Sequence, residues 1–235
     1  MKALTDSVVL DIWQRGQGRN PVERALLLVA AALPTLEERD CVDLSIGERD
    51  AAILGLRQAT FGKKLPGRVN CPQCGESLEF ELDAGRLRAD LPSSTEREFA
   101  LGDDLRFRLP TSRDLVAIAG EGNAKSASRE LLKRCFLGAA ETREWPDALL
   151  DEAETRITEL KPALDIELHF DCAGCGHAWA DRLEICSYFW EEIEHHAQFL
   201  LDEVHLLASR YGWNERDILG MSPMRRGAYL ERCDA

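Results

Sequence analysis

The chain has 235 residues, 45% hydrophobic and 30% charged, which provides for a real core on a soluble protein and leaves room for one large domain or two small ones. A formal net charge of −13 repels phosphate backbones and argues against nucleic-acid binding except through a local basic patch. The N-terminus carries acids without a signal-peptide apolar stretch, and the longest apolar run, Ala25 to Leu33, is nine residues against the ~20 that span a bilayer, so the expectation is a cytoplasmic chain with no membrane partner.

Helix signals fill the first sixty residues. Asn20-Pro21-Val22-Glu23 combines an N-cap, a proline at the first helical position and a capping glutamate, opening a helix that Pro34 stops. Ser45-Ile46-Gly47-Glu48 is a second capping box. Its helix runs to about Phe61, with Gly62 just past the end. Around Pro66 the pattern changes. CPQCG is preceded by Arg68 to Asn70 and followed by Ser77-LEFEL, where Leu78, Phe80 and Leu82 alternate, which predicts strand–knuckle–strand. Two short alternating runs either side of Gly102-Asp103-Asp104 predict a hairpin, and Thr111 to Asp114 caps a further helix.

Gly120 to Ser128 is small and polar and reads as a mobile loop. Helices follow over about 127–137 and 146–160, the second ended by Pro162. Asp165-IELHF enters CAGCG and Ala178-WADRLEI leaves it, repeating the earlier strand–knuckle–strand unit. From Ser187 to Tyr211 the residues Trp190, Ile193, Ala197, Leu200, Val204, Leu207 and Tyr211 recur at steps of three and four. Such a seam serves a core-facing helix or a short coiled coil, and three heptads sit near the lower limit for the latter. Gly212 ends it. Asn214 and Ser222-Pro223 open two short helices. The expected organisation is a helical region over 1–62, a zinc-ribbon region with an inserted hairpin and helices over 63–186, and the long helix with its tail over 187–235.

Eight cysteines are present. Cys41, Cys135, Cys186 and Cys233 stand alone and read as small buried hydrophobes. Cys71, Cys74, Cys172 and Cys175 form two C-x-x-C-G knuckles. In a reducing compartment, paired knuckles flanked by strands point to a four-cysteine zinc ribbon. The two-residue spacing lets both sulfurs of a knuckle reach one ion at about 2.3 Å. Four protein ligands leave no position for water, so the single Zn2+ would be structural, not catalytic. Structural zinc contributes on the order of 10 kcal/mol. Joining arms about a hundred residues apart costs a few kcal/mol of that, a cost that pairing between the flanking strands would share. The intervening helical segment is then an insertion between two halves of one ribbon. Three readings compete: iron in the same knuckles, redox-active dithiols, and His177 replacing a cysteine.

Other constellations are weaker. His195 and His196 are adjacent on the long helix and so point in different directions; with Glu191, Glu192 and Asp202 they make no clean metal site, and His205 reads as an ordinary packed or surface histidine. No phosphate loop, nucleophile elbow or dinucleotide fingerprint occurs, so nothing marks an enzyme or a small-molecule substrate. The last two helices resemble a helix-turn-helix, with Arg225, Arg226 and Arg232 giving the last a basic side. With the ribbon, this supports an alternative reading as a nucleic-acid-binding regulator.

LSIGERDAAILGLRQATFG, CPQCGESLEFEL, LPTSRDL, CAGCGHAW and EVHLLASRYGWNERDILGMSPMRRGAYLERC together resemble the T-even-phage-type baseplate proteins, whose relatives occur in the gene clusters of phage-tail-like contractile injection systems. The resemblance runs from about Leu44 to Cys233 and is most specific in the closing LAxxYGW, formed by Leu207, Ala208, Tyr211, Gly212 and Trp213. It implies a non-enzymatic assembly factor or minor component of the baseplate or its hub, with baseplate or hub proteins as partners. It places the chain in the cytoplasm during particle assembly, with the virion or tail-like particle as the alternative. It supports the four cysteines as ligands and carries over no catalytic residue.

Overall fold

The computed structural model describes residues 1–89, 97–102, 105–138, 145–160 and 166–233. Helices α1 (Asp6–Gly16) and α2 (Pro21–Ala32) come first. At the start of α2 the Asn20 side chain accepts from the Glu23 N–H and the Glu23 carboxylate accepts from the Asn20 N–H, both at 3.0 Å, so two orphan donors are met reciprocally. After the single turn α3 (Glu38–Cys41), the Ser45–Glu48 box opens α4 (Ile46–Phe61) in the same way. Gly62 ends it at φ 90°, a backbone angle that glycine tolerates best.

β1 (Lys64–Asn70) and β2 (Ser77–Asp83) pair antiparallel around the first knuckle, with Leu65 opposite Leu82 and Gly67 opposite Phe80, and α5 (Ala84–Ala89) follows. β3 (Glu98–Leu101) and β4 (Leu105–Arg108) form the second hairpin. Helices α6 (Ser112–Ile118), α7 (Ala124–Cys135) and α8 (Asp147–Leu160) come next. β5 (Ile166–Asp171) and β6 (Ala178–Leu183) pair around the second knuckle. The chain closes with α9 (Ile185–Tyr211), α10 (Glu215–Leu219) and α11 (Pro223–Leu230). The fold is the mainly helical α+β arrangement expected, with a ribbon-like four-cysteine cluster and added helices.

Among the described residues, apolar side chains gather in two clusters. The first joins both ends of the chain. Val9 and Ile12 of α1, Leu28 and Val29 of α2, and Ile53, Leu54 and Leu56 of α4 surround Ile185, Phe189, Trp190, Ile193, Ala197 and Leu200 of α9. The heptad seam is therefore consumed within the chain: Leu207 is also buried, and Val204 and Tyr211 are half-buried. Arg57, 1% exposed, crosses this core. Its guanidinium holds Glu192 of α9 through Nε at 2.8 Å and Nη2 at 2.5 Å, and Nη1 donates to the Gly62 carbonyl at 2.8 Å.

The second cluster belongs to the segment between the two ribbon halves. Phe99, Leu101 and Phe107 of the second hairpin pack with Leu132 and Cys135 of α7 and Leu150 and Ala153 of α8. This inserted unit docks on the start of α4. The Ile46 N–H donates to the Pro110 carbonyl at 3.1 Å, and Arg113 pairs with Asp43 at 2.7 and 2.9 Å. Asp114, fully buried, receives Arg108 at 2.6 and 2.8 Å and the Thr111 N–H at 3.0 Å. Burial pushes its carboxyl up, but the Arg108 and Thr111 hydrogen bonds outweigh it and hold the pKa below the usual value.

Four expectations change. The loop expected over Gly120–Ser128 is helical from Ala124, because the Asn123 side chain caps α7 by accepting from the Ser126 N–H. That helix then ends at Cys135, not 137. The long helix starts at Ile185, where Glu184 accepts from the N–H groups of Cys186 and Ser187. Pairing between strands of the two knuckles does not occur among the described residues: each hairpin pairs only with itself, and the ring contact of Phe80 with Phe170, centroids 5.4 Å apart, bridges them. Asp103, Asp104, Pro162 and Asp165, which the sequence places at a hairpin turn, a helix stop and a strand start, lie outside the described residues.

Candidate metal centre

Each knuckle is a tight turn locked by the same two backbone bonds. In the first, the Cys71 N–H donates to the Glu76 carbonyl at 2.8 Å and the Gly75 N–H to the Cys71 carbonyl at 2.9 Å. In the second, the Cys172 N–H donates to the His177 carbonyl at 2.9 Å and the Gly176 N–H to the Cys172 carbonyl at 2.8 Å. The turn requires positive φ at one position, and glycine fills it both times, at 78° for Gly75 and 73° for Gly176.

The folded chain brings the two knuckles face to face. Cys71 Sγ lies 3.7 Å from Cys175 Sγ and Cys74 Sγ lies 3.5 Å from Cys172 Sγ, and all four sulfurs fall within 4.8 Å of one another. A tetrahedron with bonds of about 2.3 Å has edges of about 3.8 Å, so the four thiols fit a single divalent ion. Cys71 and Cys172 are buried, whereas Cys74 and Cys175 face outward.

The electrostatics suit a cation. Burial pushes the Cys71 thiol up, but the Cys74 and Gln73 N–H groups and the neighbouring thiols bring it down to about 7. The Glu76 N–H draws the Cys74 thiol down, while Cys172 and Cys175 drive it up further, to about 12. The His177 N–H likewise lowers Cys175, yet burial and its neighbours leave that thiol raised. Four close sulfurs therefore resist shedding their protons together unless a positive ion joins them.

A family model described as T4 bacteriophage base plate protein matches residues 27–189. The chain belongs to that family. No curated protein and no solved structure matches it. The match takes in α4, both knuckles, the inserted unit and the start of α9, and begins further upstream than the sequence motifs suggested. It ends before the LAxxYGW segment, on which the sequence resemblance leaned most. Baseplate-family membership makes this a structural, non-catalytic protein carrying a cluster able to hold a metal ion.

Other residues of this baseplate-family protein fall into place around that centre. His177 is not part of the cluster; its ring stacks on Trp179, centroids 5.8 Å apart. His196 points to Asp6 at 3.3 Å, whereas His195 turns outward against Phe199, and His205 is exposed. The basic side expected of the last helix does not form as such. Arg226 is buried, held by Glu203 at 2.5 Å and Asp6 at 2.8 Å, so it cannot meet a phosphate. Arg225 lies over the Tyr229 ring, and Arg232 donates to the Ala228 carbonyl. Cys186 is buried as expected, and its thiol donates to Asp50 at 3.5 Å, with Glu184 completing a second cluster. There Arg49 already meets the Asp50 carboxylate at 2.7 Å, and burial pushes the Cys186 thiol far up, a poor donor set for a metal. No helix among the described residues is long and apolar enough to cross a membrane.

Proposed function

We propose that this protein is an assembly factor or minor component of the baseplate or its hub, in a phage tail or contractile injection system. It acts through protein–protein contacts, and one zinc ion held by Cys71, Cys74, Cys172 and Cys175 closes its ribbon. The observation that carries this reading is the family match across both knuckles, joined to a four-sulfur cluster that leaves no open position for chemistry. Two hairpins far apart in sequence need a strong tie to present one rigid face, and a closed metal site supplies it. The acidic surface keeps such a factor soluble and steers it toward basic patches on its partners. The work is done in the cytoplasm while particles assemble. Arg226, buried between Asp6 and Glu203, weighs against the nucleic-acid alternative.

Sedimentation of lysate from particle-producing cells tests the reading, with sheath and baseplate proteins as markers. Co-sedimentation with finished particles makes this a baseplate subunit. Recovery only in light fractions, bound to baseplate or hub proteins, makes it an assembly factor that leaves. Recovery with nucleic acid and with neither class of fraction overturns the proposal.

A further inference from the structure

Helix α9 carries a second stripe, opposite its buried seam. Tyr188, Glu191, His195, Phe199, Asp202 and Leu206 recur at steps of three and four, the spacing that puts residues on one helix face. Phe199 is 56% exposed and Leu206 48%, so two large apolar side chains stand uncovered on the same helix face. At its N-terminal end the stripe opens into a groove of about 750 Å³ between α9 and the two ribbon hairpins. Phe80, Phe170, Val69, Leu168 and Tyr188 give this groove apolar walls. His195 links the two parts, lining the groove and meeting the Phe199 ring edge-on at 4.7 Å. From Tyr188 to Leu206 the track spans 18 helical steps, about 27 Å at 1.5 Å each.

The charge along this track is mostly acidic, although Arg182 also lines the groove and has a partner of its own. Arg57 is consumed by Glu192, and Arg68 by Glu79 at 2.8 Å. Among the described residues no cation pairs with Asp181, Glu191 or Asp202, which border the groove and the stripe. A second copy of the chain would set carboxylates against carboxylates, and nucleic acid would meet the same repulsion. A helix with apolar side chains along one face and Lys or Arg beside them satisfies both the walls and the rim.

We infer that the groove and the exposed α9 stripe together form a docking track for one amphipathic, basic helix of a baseplate or hub protein. This rests on the proposed function and names the chemistry of its partner. The partner helix lies along α9, sets apolar side chains against Phe199, Leu206 and the Phe80–Phe170 wall, and brings its cations to Glu191 and Asp202. The ribbon forms the far wall, so the metal-held hairpins position half of the track.

The test uses the full-length protein in particle-producing cells, with a photo-crosslinking residue in place of Phe199 and the crosslinked peptides sequenced by mass spectrometry. The expected result is a baseplate or hub segment with helical apolar spacing and flanking Lys or Arg. Its yield falls at least fivefold when Glu191→Lys and Asp202→Lys are combined, two exposed changes that leave the melting temperature in place. Crosslinks to a second copy, to nucleic acid or to a segment lacking cations, a yield indifferent to charge reversal, or no crosslink would each overturn the inference. The same probe at Leu137, on the inserted unit, separates the two levels. Baseplate proteins captured there but not at Phe199 sink the track alone; capture at neither site, with no co-sedimentation, sinks the functional reading too.

Discussion

The proposed metal site gives the most informative perturbation, because the structure fixes what its loss should cost. Cys74 and Cys172 are 98 residues apart and their hairpins share no backbone pairing. Without an ion, the two halves keep the Phe80–Phe170 contact, worth about 0.5–1.5 kcal/mol, and the Tyr188 hydroxyl bond to the Pro66 carbonyl at 2.6 Å. Structural zinc contributes on the order of 10 kcal/mol, of which closing a loop of this size takes about 4–5, so its removal costs about 5 kcal/mol. For a chain of this length, about 2–4 °C per kcal/mol converts that into a fall in melting temperature of roughly 10–20 °C. Two apolar clusters with separate memberships should then part company, so the metal-free protein is expected to melt in two steps, not one. The assay is calorimetry of protein purified under reducing conditions, before and after chelation, with metal content measured by atomic absorption. Cys71→Ser should reproduce the chelated state, and Cys233→Ser, outside the cluster, should not. One equivalent of zinc lost together with the shift is the expected outcome. A protein that carries no metal and melts unchanged after Cys71→Ser would refute the reasoning, and bound iron would refute zinc while leaving the ligand set standing.

Arg57→Met strands Glu192 and the Gly62 carbonyl and should cost about 3–5 kcal/mol in urea denaturation, whereas Arg15→Met, in an exposed pair 3.5 Å from Asp11, should cost under about 1 kcal/mol. The Asp114 carboxyl titrates lower in the folded chain than in the unfolded one, so its stabilisation is complete above the unfolded value of about 4 and drains away as pH falls through the folded value. Asp114→Asn should therefore lower stability at neutral pH and flatten the acid limb of a stability–pH curve; an unchanged limb would count against the buried pair. Gly16→Ala should lower the melting temperature, because the new methyl would lie 2.0 Å from the Trp190 ring, which Arg24 covers at 4.5 Å; overpacking of this kind costs about 1–3 kcal/mol.

What could be read from the sequence was local. The Asn20–Glu23 and Ser45–Glu48 boxes satisfy their own first turns, so three or four residues suffice to announce a helix start. The knuckles are equally self-contained: Cys-x-x-Cys-Gly fixes the turn, and the glycine at positive φ is visible as a letter. The seam of α9 showed through its period alone, because a helix buried along one side repeats its apolar residues every three or four positions. Where local signals were ambiguous, the reading failed. Asn123 caps α7 inside a stretch whose small polar residues looked like a loop.

The tertiary structure decided everything that depends on which distant segments meet. Sequence spacing gave two half-sites; only the folded chain sets Cys74 beside Cys172 and keeps His177 out. Arg57 and Arg226 look like surface cations in a list of letters, yet each is buried because a carboxylate from another helix arrives to meet it. Phe199 and Leu206 fall off the apolar seam, and they stand exposed because the neighbours of α9 pack on its opposite side. Period identifies a helix and its apolar positions, but which apolar positions are covered is set by the partners that close around it, through contacts between residues far apart in the chain.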